Sequence, residues 1–329
     1  MTQPIEIIRW PSSQGHERMK QEVLVGLSER QKQLPCKYFY DAHGSQLFEK
    51  ICSQPEYYLS RTELAILEEE AAAMIAWFHQ GSLIELGSGA SLKVRHLLAA
   101  LPGRGRDITY VPVDLCEPAL RRAALALTGL YPELAILGII ADYTEGWKFL
   151  EETASPRLIT FLGSNIGNFR PDVCKAFLTG LRSRMNPIDR LIVGFDLVKE
   201  KSVLDAAYND SQGVTEAFNR NILTVINREL GGDFDPAAFK HYAFYNEAAQ
   251  QIEMHLSASH PMTVSITGIP MRVSLATGET IFTESCRKFT CESVADLARQ
   301  TAFKLVRWWS DSRQWFALAE FLPADNGGC

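Results

Sequence analysis

Between Ser82 and about Asp196, short apolar runs alternate with segments of helical periodicity. SLIELGSG is followed by SLKVRHLLAAL, TYVPVDL by EPALRRAALALTGL, LAILGIIADY by TEGWKFLEE, and RLITFLGSNIGN by DVCKAFLTGLRSRM, before the series closes on RLIVGFDL. Parallel neighbours cannot be joined by a tight turn, so this alternation predicts strands linked by crossover helices, a doubly wound, mostly parallel α/β sheet. Upstream, RTELAILEEEAAAMIAWFH predicts a helix from Arg61 to about His79, with Thr62 and Glu63 capping and charging its first turn.

The rhythm breaks outside that stretch. Residues 1–62 carry few strand-like runs and much punctuation, with four tyrosines in YFYD and PEYY. Beyond residue 199, DAAYNDSQGVTEAFNRNILTVINREL reads as helical, whereas QIEMHLSASHPMTVSI, PMRVSLA and GETIFTE alternate like antiparallel strands separated by Pro and Gly. ESVADLARQTAFKLVRWWSD and SRQWFALAEFL then predict a helix and a hairpin that adds an antiparallel strand at the edge of the parallel sheet. The expected division is a sheet domain of residues 63–198 and 289–329 and an α+β lobe of residues 1–62 and 199–288.

Charge narrows the choice of partner. The 329 residues hold 33 basic and 39 acidic side chains, a net charge of −6, with no Lys/Arg cluster. Nucleic-acid affinity rests on basic side chains displacing counterions, so a small-molecule partner is expected instead. Apolar stretches such as Leu134 to Ala141 fall far short of the roughly 20 residues that span a bilayer, and the opening MTQPIEIIRWPSSQ lacks the features of a secretory signal. A cytoplasmic protein without membrane partners is expected. The seven cysteines form an odd set with no CxxC pair, which indicates neither a disulfide framework nor a metal site.

Candidate chemistry gathers at the strand ends. Leu86-Gly87-Ser88-Gly89 closes the first apolar run in a glycine loop, where backbone can approach a ligand, but the third glycine of a dinucleotide fingerprint is missing. Glu85, Asp114 and Asp142 end successive strands, Asp142 next to Tyr143. Three acids would repel a pyrophosphate and suit a ligand carrying a ribose, an adenine and a positive charge. S-adenosylmethionine is such a ligand, with Asp114 accepting from the ribose hydroxyls and Asp142 from the adenine amino group. The fourth strand ends in FLGSNIGN, where Asn165 or Asn168 offers a donor and an acceptor that could hold an amine and a carboxylate together.

KYFYDAHGSQLFEKI, PEYYLSRTE, LIELGSGASLKV, FLGSNIGN, DLVKE, AAYNDSQGVTEAFNRNIL and NREL followed by FDP resemble, in the same order, strings of the ergothioneine-pathway L-histidine Nα-methyltransferases, from about Tyr38 to Trp309. The resemblance implies a Rossmann-like class I methyltransferase fold with a substrate-binding lobe. It also implies transfer of methyl groups from S-adenosylmethionine to the α-amino group of histidine, up to the trimethylated betaine hercynine; a monomer that uses no metal is expected. It implies that Gly87, Lys93, Asp114, Asp142 and Tyr143 surround the donor, and that Asn168 and Tyr208 hold the amino and carboxylate groups. By the same resemblance Tyr40 lies near the transferring methyl, Tyr57 and Glu284 face the imidazole, and Met254 lines the same pocket. The family pattern of Thr-Glu, any residue, Ser, any residue, Lys is altered here to Thr283-Glu284-Ser285-Cys286-Arg287-Lys288. Cys286 stands at the serine position, and Ser285, one place early, would point to the opposite face of a strand. A thiol is a weak donor, so an N-methyltransferase of another amino acid or aromatic amine is the runner-up. A non-catalytic nucleotide-binding module and a dehydrogenase on the same fold are the alternatives of other classes.

Overall fold

The computed structural model describes residues 5–10, 15–89, 93–101 and 107–324, so residues 90–92 of the glycine-loop string and Cys329 lie outside the described residues. The chain divides into two units, one of Met1–Ser12, Leu59–Val198 and Lys288–Cys329, the other of Ser13–Tyr58 and Lys199–Arg287.

The first unit is built on eight strands. In chain order these are β1 (Ile5–Arg9), β3 (Gly81–Leu86), β4 (Ile108–Asp114), β5 (Ala135–Ile140), β6 (Arg157–Phe161), β7 (Arg190–Asp196), β13 (Phe303–Ser310) and β14 (Phe316–Pro323). They lie side by side in the order β1-β5-β4-β3-β6-β7-β14-β13. β1, β3, β4, β5, β6 and β7 pair in parallel, and β14 is antiparallel to both β7 and β13. This is the Rossmann-like class I methyltransferase arrangement with one added strand, β1. Alternate side chains of each strand enter opposite layers. Leu83 packs with α3 (Tyr58–Ile75), α4 (Val94–Ala100) and α5 (Glu117–Leu130), while Ile84 packs with α6 (Pro171–Arg182) and α9 (Cys291–Gln300).

Four expectations need correction. β1 pairs along its whole length with β5, so the amino-terminal strand belongs to the sheet and not to the lobe. IEIIR is too short for alternation to declare it, and partner pairing decides its place. The antiparallel strand β14 lies one position in from the edge, because β13, the other arm of its hairpin, pairs outside it. The helix predicted from Arg61 starts at Tyr58 and ends at Ile75, which puts Thr62 and Glu63 inside it and buried rather than at its cap. TEGWKFLEE forms two short 3-10 turns, Tyr143–Glu145 and Lys148–Glu152, with Phe149 and Leu150 buried.

In the second unit, β2 (Lys32–Gln33), β8 (Phe239–Asn246), β9 (Gln251–Ala258) and β12 (Thr280–Arg287) form a sheet in the order β2-β12-β9-β8, beside a separate hairpin of β10 (Met262–Ile266) and β11 (Met271–Leu275). Its helices are α1 (Gly15–Ser28), α2 (Ala42–Cys52), α7 (Lys201–Ala207) and α8 (Val214–Leu230). The predicted long helix is split into α7 and α8 because Asp210, between them, accepts from the amides of Val214 and Thr215 at 2.8 and 2.7 Å and starts a new helix. α8 is amphipathic, and its Phe218 packs on Phe39 with ring centroids 4.6 Å apart. β12 carries a bulge. Phe282 sits opposite His255 and Glu284 opposite Met254, so Thr283 is an extra residue in that strand.

Candidate active site

In the first unit the carboxyl ends of the parallel strands bring the glycine loop, Asp114, Tyr143 and the FLGSNIGN turn together. Gly87 has φ +68°, and a Cβ there would come within 3.3 Å of the Asn165 side-chain nitrogen and 3.4 Å of the Tyr143 hydroxyl. Only glycine leaves that approach open. Asp114 ends β4 and accepts from the amides of Gly89 and Cys116, both at 2.7 Å, which fixes the loop and the start of α5 at once. Burial pushes its carboxyl above the usual carboxylate range, and those amides, with that of Leu115, oppose the rise. Asp142 accepts from the Thr144 amide at 2.9 Å and caps the turn that carries Tyr143, whose ring packs edge-on against Phe161. Asn168 closes the 3-10 turn Asn165–Asn168 after β6.

Glu85 does not act as a strand-end acid. It is buried within β3, it accepts from the Tyr110 hydroxyl, and burial pushes its carboxyl up to about 8, so it is mostly uncharged at neutral pH. Glu63, fully buried on α3, accepts from Lys93 Nζ at 2.6 Å and from the Gly163 amide at 2.8 Å. A Cβ on Gly194 would overlap this carboxylate, which explains the glycine in β7. A second buried pair, Lys288 Nζ to Asp196 Oδ2 at 2.8 Å, lies beside it in the fold, and the Asp196 amide donates to Ser164 Oγ at 2.9 Å. The turn that leads to Asn168 is therefore held through Gly163 and through Ser164, which adopts φ +57°.

In the second unit the remaining predicted residues share one neighbourhood. Tyr40 packs edge-on against Phe48 and Phe218, Phe48 against Tyr57, and Tyr57 against Tyr208, at centroid distances of 5.5 to 6.2 Å. Glu284 and Met254 are direct cross-strand partners, 8% and 1% exposed. Cys286 pairs with Ile252 and is buried, whereas Ser285 pairs with Glu253 and is more exposed, as strand alternation predicts. Burial raises the Tyr57 hydroxyl well above its ordinary value, and nearby Cys52, Cys286, Tyr40 and Glu284 add to the rise, so Tyr57 keeps its proton and can donate it in a hydrogen bond. Cys36, which no sequence argument singled out, joins this group. Burial pushes its thiol up, followed by the charges of Glu284 and Cys286.

Two more residues were missed although their spacing announces them. Glu63 shares a helical stripe with Ile66, Leu67 and Met74, and Asn219 shares one with Ile222, Leu223 and Ile226, all buried. A polar residue on an apolar stripe must find a partner inside.

A family profile described as histidine-specific methyltransferase, SAM-dependent, matches residues 19–322. The chain belongs to this family. It is 40% identical to the histidine N-alpha-methyltransferase of Mycolicibacterium smegmatis over 303 residues, covering 92% of this chain and 94% of that protein. It is likewise 40% identical to the protein of the same name from Mycobacterium tuberculosis over 305 residues, 93% and 95% of the two chains. Ergothioneine biosynthesis protein 1 of Neurospora crassa is 34% identical over 232 residues, 65% of this chain and 26% of that longer protein. Membership of the family makes S-adenosylmethionine the methyl donor and sets aside the dehydrogenase and the inert nucleotide-binding module.

Proposed function

We propose that this protein transfers methyl groups from S-adenosylmethionine to the α-amino group of L-histidine, through to the trimethylated betaine, in ergothioneine biosynthesis. The observation that carries the reading is the 40% identity over nine-tenths of the chain to proteins named for that reaction. The placement of Glu284 opposite Met254, in the neighbourhood of Tyr57 and Cys286, supports it, since a carboxylate there can accept from a substrate N–H. In this reading Gly87, Lys93, Asp114, Asp142 and Tyr143 hold the donor, and Asn168 and Tyr208 hold the amino-acid backbone. Tyr57, Met254, Glu284 and Cys286 receive the imidazole. Among the described residues no helix is long and apolar enough to cross a membrane. A cytoplasmic setting fits the unpatterned cysteines.

Catalysis then consists mainly of alignment. A neutral amine attacks the sulfonium methyl in line, the C–N bond forms as the C–S bond breaks, and S-adenosylhomocysteine leaves as a neutral thioether. The amine sheds its proton before each transfer, which desolvation encourages. The aromatic faces at Tyr40 and Tyr57 accommodate the ammonium that grows with each methyl.

Incubating the protein with S-adenosylmethionine and the twenty amino acids together, followed by mass spectrometry, tests the substrate assignment. Histidine should be consumed into mono-, di- and trimethylated products. Methylation of a different amino acid with histidine untouched would overturn it. For the donor, Asp114→Ala should weaken S-adenosylmethionine binding by about 1.5–3 kcal/mol for each ribose hydrogen bond lost, and loosening of the Gly89 amide adds to the loss. Titration calorimetry reads this directly, and unchanged affinity would remove Asp114 from the donor site.

A further inference from the structure

A chain of hydrogen bonds, buried at Thr283 and Asn219 and half-buried at His241, crosses the second unit. The Thr283 hydroxyl donates to Asn219 Oδ1 at 2.7 Å and lies 3.0 Å from the Met254 carbonyl. Asn219, fully buried on α8, directs its amide nitrogen to the His255 carbonyl at 3.0 Å and to His241 Nδ1 at 2.9 Å. His241 Nε2 lies 2.8 Å from the Tyr208 carbonyl.

The proton positions in this chain follow from its ends. A carbonyl can only accept, so the His255 carbonyl requires the Asn219 nitrogen on its side, and the Thr283 hydroxyl donates to the amide oxygen. The second N–H of Asn219 then points at His241 Nδ1, which must be bare. The ring proton sits on Nε2, where the Tyr208 carbonyl accepts it. One neutral tautomer satisfies every member, and the imidazolium would set an N–H against the N–H of Asn219.

We propose that His241 is a positioning residue of the amino-acid site: it fixes the main chain at Tyr208 on one side and, through Asn219 and Thr283, the β12 segment that bears Glu284 on the other. The inference rests on the proposed function for the roles of Tyr208 and Glu284. It assigns His241 no contact with reacting groups. It makes the frame of the site depend on an imidazole that must stay neutral.

Protonation is opposed where His241 lies. Burial holds its pKa below the usual histidine value, and Arg220 acts in the same direction. The Tyr208 carbonyl, Glu216 and Asp210 pull the other way. On α7, Asp205 is engaged by the Tyr245 amide at 2.6 Å and by Lys201. With the folded pKa depressed, the frame is intact above the ordinary histidine pKa and is lost as the pH falls through the depressed value.

His241→Phe removes the titrating imidazole together with the acceptor for Asn219 and the donor to the Tyr208 carbonyl. The Michaelis constant for the amino acid should rise about tenfold at pH 8, the effect of one buried hydrogen bond, with kcat and the calorimetric affinity for S-adenosylhomocysteine little changed. The ratio of the variant's Michaelis constant to that of the wild type should shrink toward one at low pH, because only the wild type has an imidazole to protonate. Titration of the substrate's own imidazole cancels in this ratio. A ratio of one at every pH, or a pH-independent loss shared equally by kcat and donor affinity, would overturn the proposal. Nitrogen-detected NMR of the wild type at neutral pH should show His241 as the Nε2–H tautomer. An Nδ1–H tautomer or an imidazolium there would overturn the proposal even if the variant fails to fold. If another amino acid proves to be the substrate, the same ratios are measured with that amino acid and the NMR result stands apart from its identity.

Discussion

Replacing Glu284 by Ala should lower kcat/KM for histidine by about a hundredfold or more while leaving the affinity for S-adenosylmethionine unchanged. Glu284 is buried opposite Met254, and its charge reaches both the Cys36 thiol and the Tyr57 hydroxyl. Filled by histidine, the pocket gives this carboxylate an N–H and a charge-assisted hydrogen bond. Filled by phenylalanine or leucine, it offers the carboxylate no such bond, so wild-type discrimination should span several orders of magnitude and collapse in the variant. Cys286→Ser, which restores the family's hydroxyl beside it, should keep or improve activity on histidine. Comparing kcat/KM for histidine, tryptophan and phenylalanine in the three proteins checks both statements, and unaltered selectivity in Glu284→Ala would remove Glu284 from the pocket.

The largest effect on stability is expected at Lys288. Its ammonium and the Asp196 carboxylate are both without solvent exposure, 2.8 Å apart. Lys288→Met takes the countercharge from a buried carboxylate, at a cost of about 3–5 kcal/mol, whereas Asp196→Asn combined with Lys288→Met removes both charges and should recover much of the loss. The urea midpoint of each protein reports the outcome. Equal midpoints for the single variant and the wild type would show that the pair carries no such weight.

The wound sheet was legible because each strand from β3 to β7 is a buried apolar run and each connection a different kind of segment. β1 and β8 were not, since IEIIR and FKHYAFYN mix apolar with charged and polar positions, and their place is decided by pairing with β5 and β9. At the site, the acids at Asp114 and Asp142 could be read from strand ends, but Glu85 was misread. Position in the chain shows where a carboxylate sits but not whether Tyr110 and a closed core surround it. Glu63, taken for a helix cap, had its true role written in its spacing to Ile66 and Leu67. The reading of Cys286 as inward and Ser285 as outward followed from alternation alone, and pairing with Ile252 and Glu253 agrees. What alternation could not supply is the break in it just before, at Thr283.

That break has an evolutionary consequence. A regular strand alternates, so of two adjacent residues only one faces inward; the bulge lets Thr283 and Glu284 both do so, at 1% and 8% exposure. One anchors the strand to Asn219, and the other is the residue proposed to meet the ligand. Scaffold and specificity are thereby encoded by separate codons. Drift at Glu284 can change what is recognised without dismantling what holds it. A bulge-free strand would have to trade anchoring for recognition at one position.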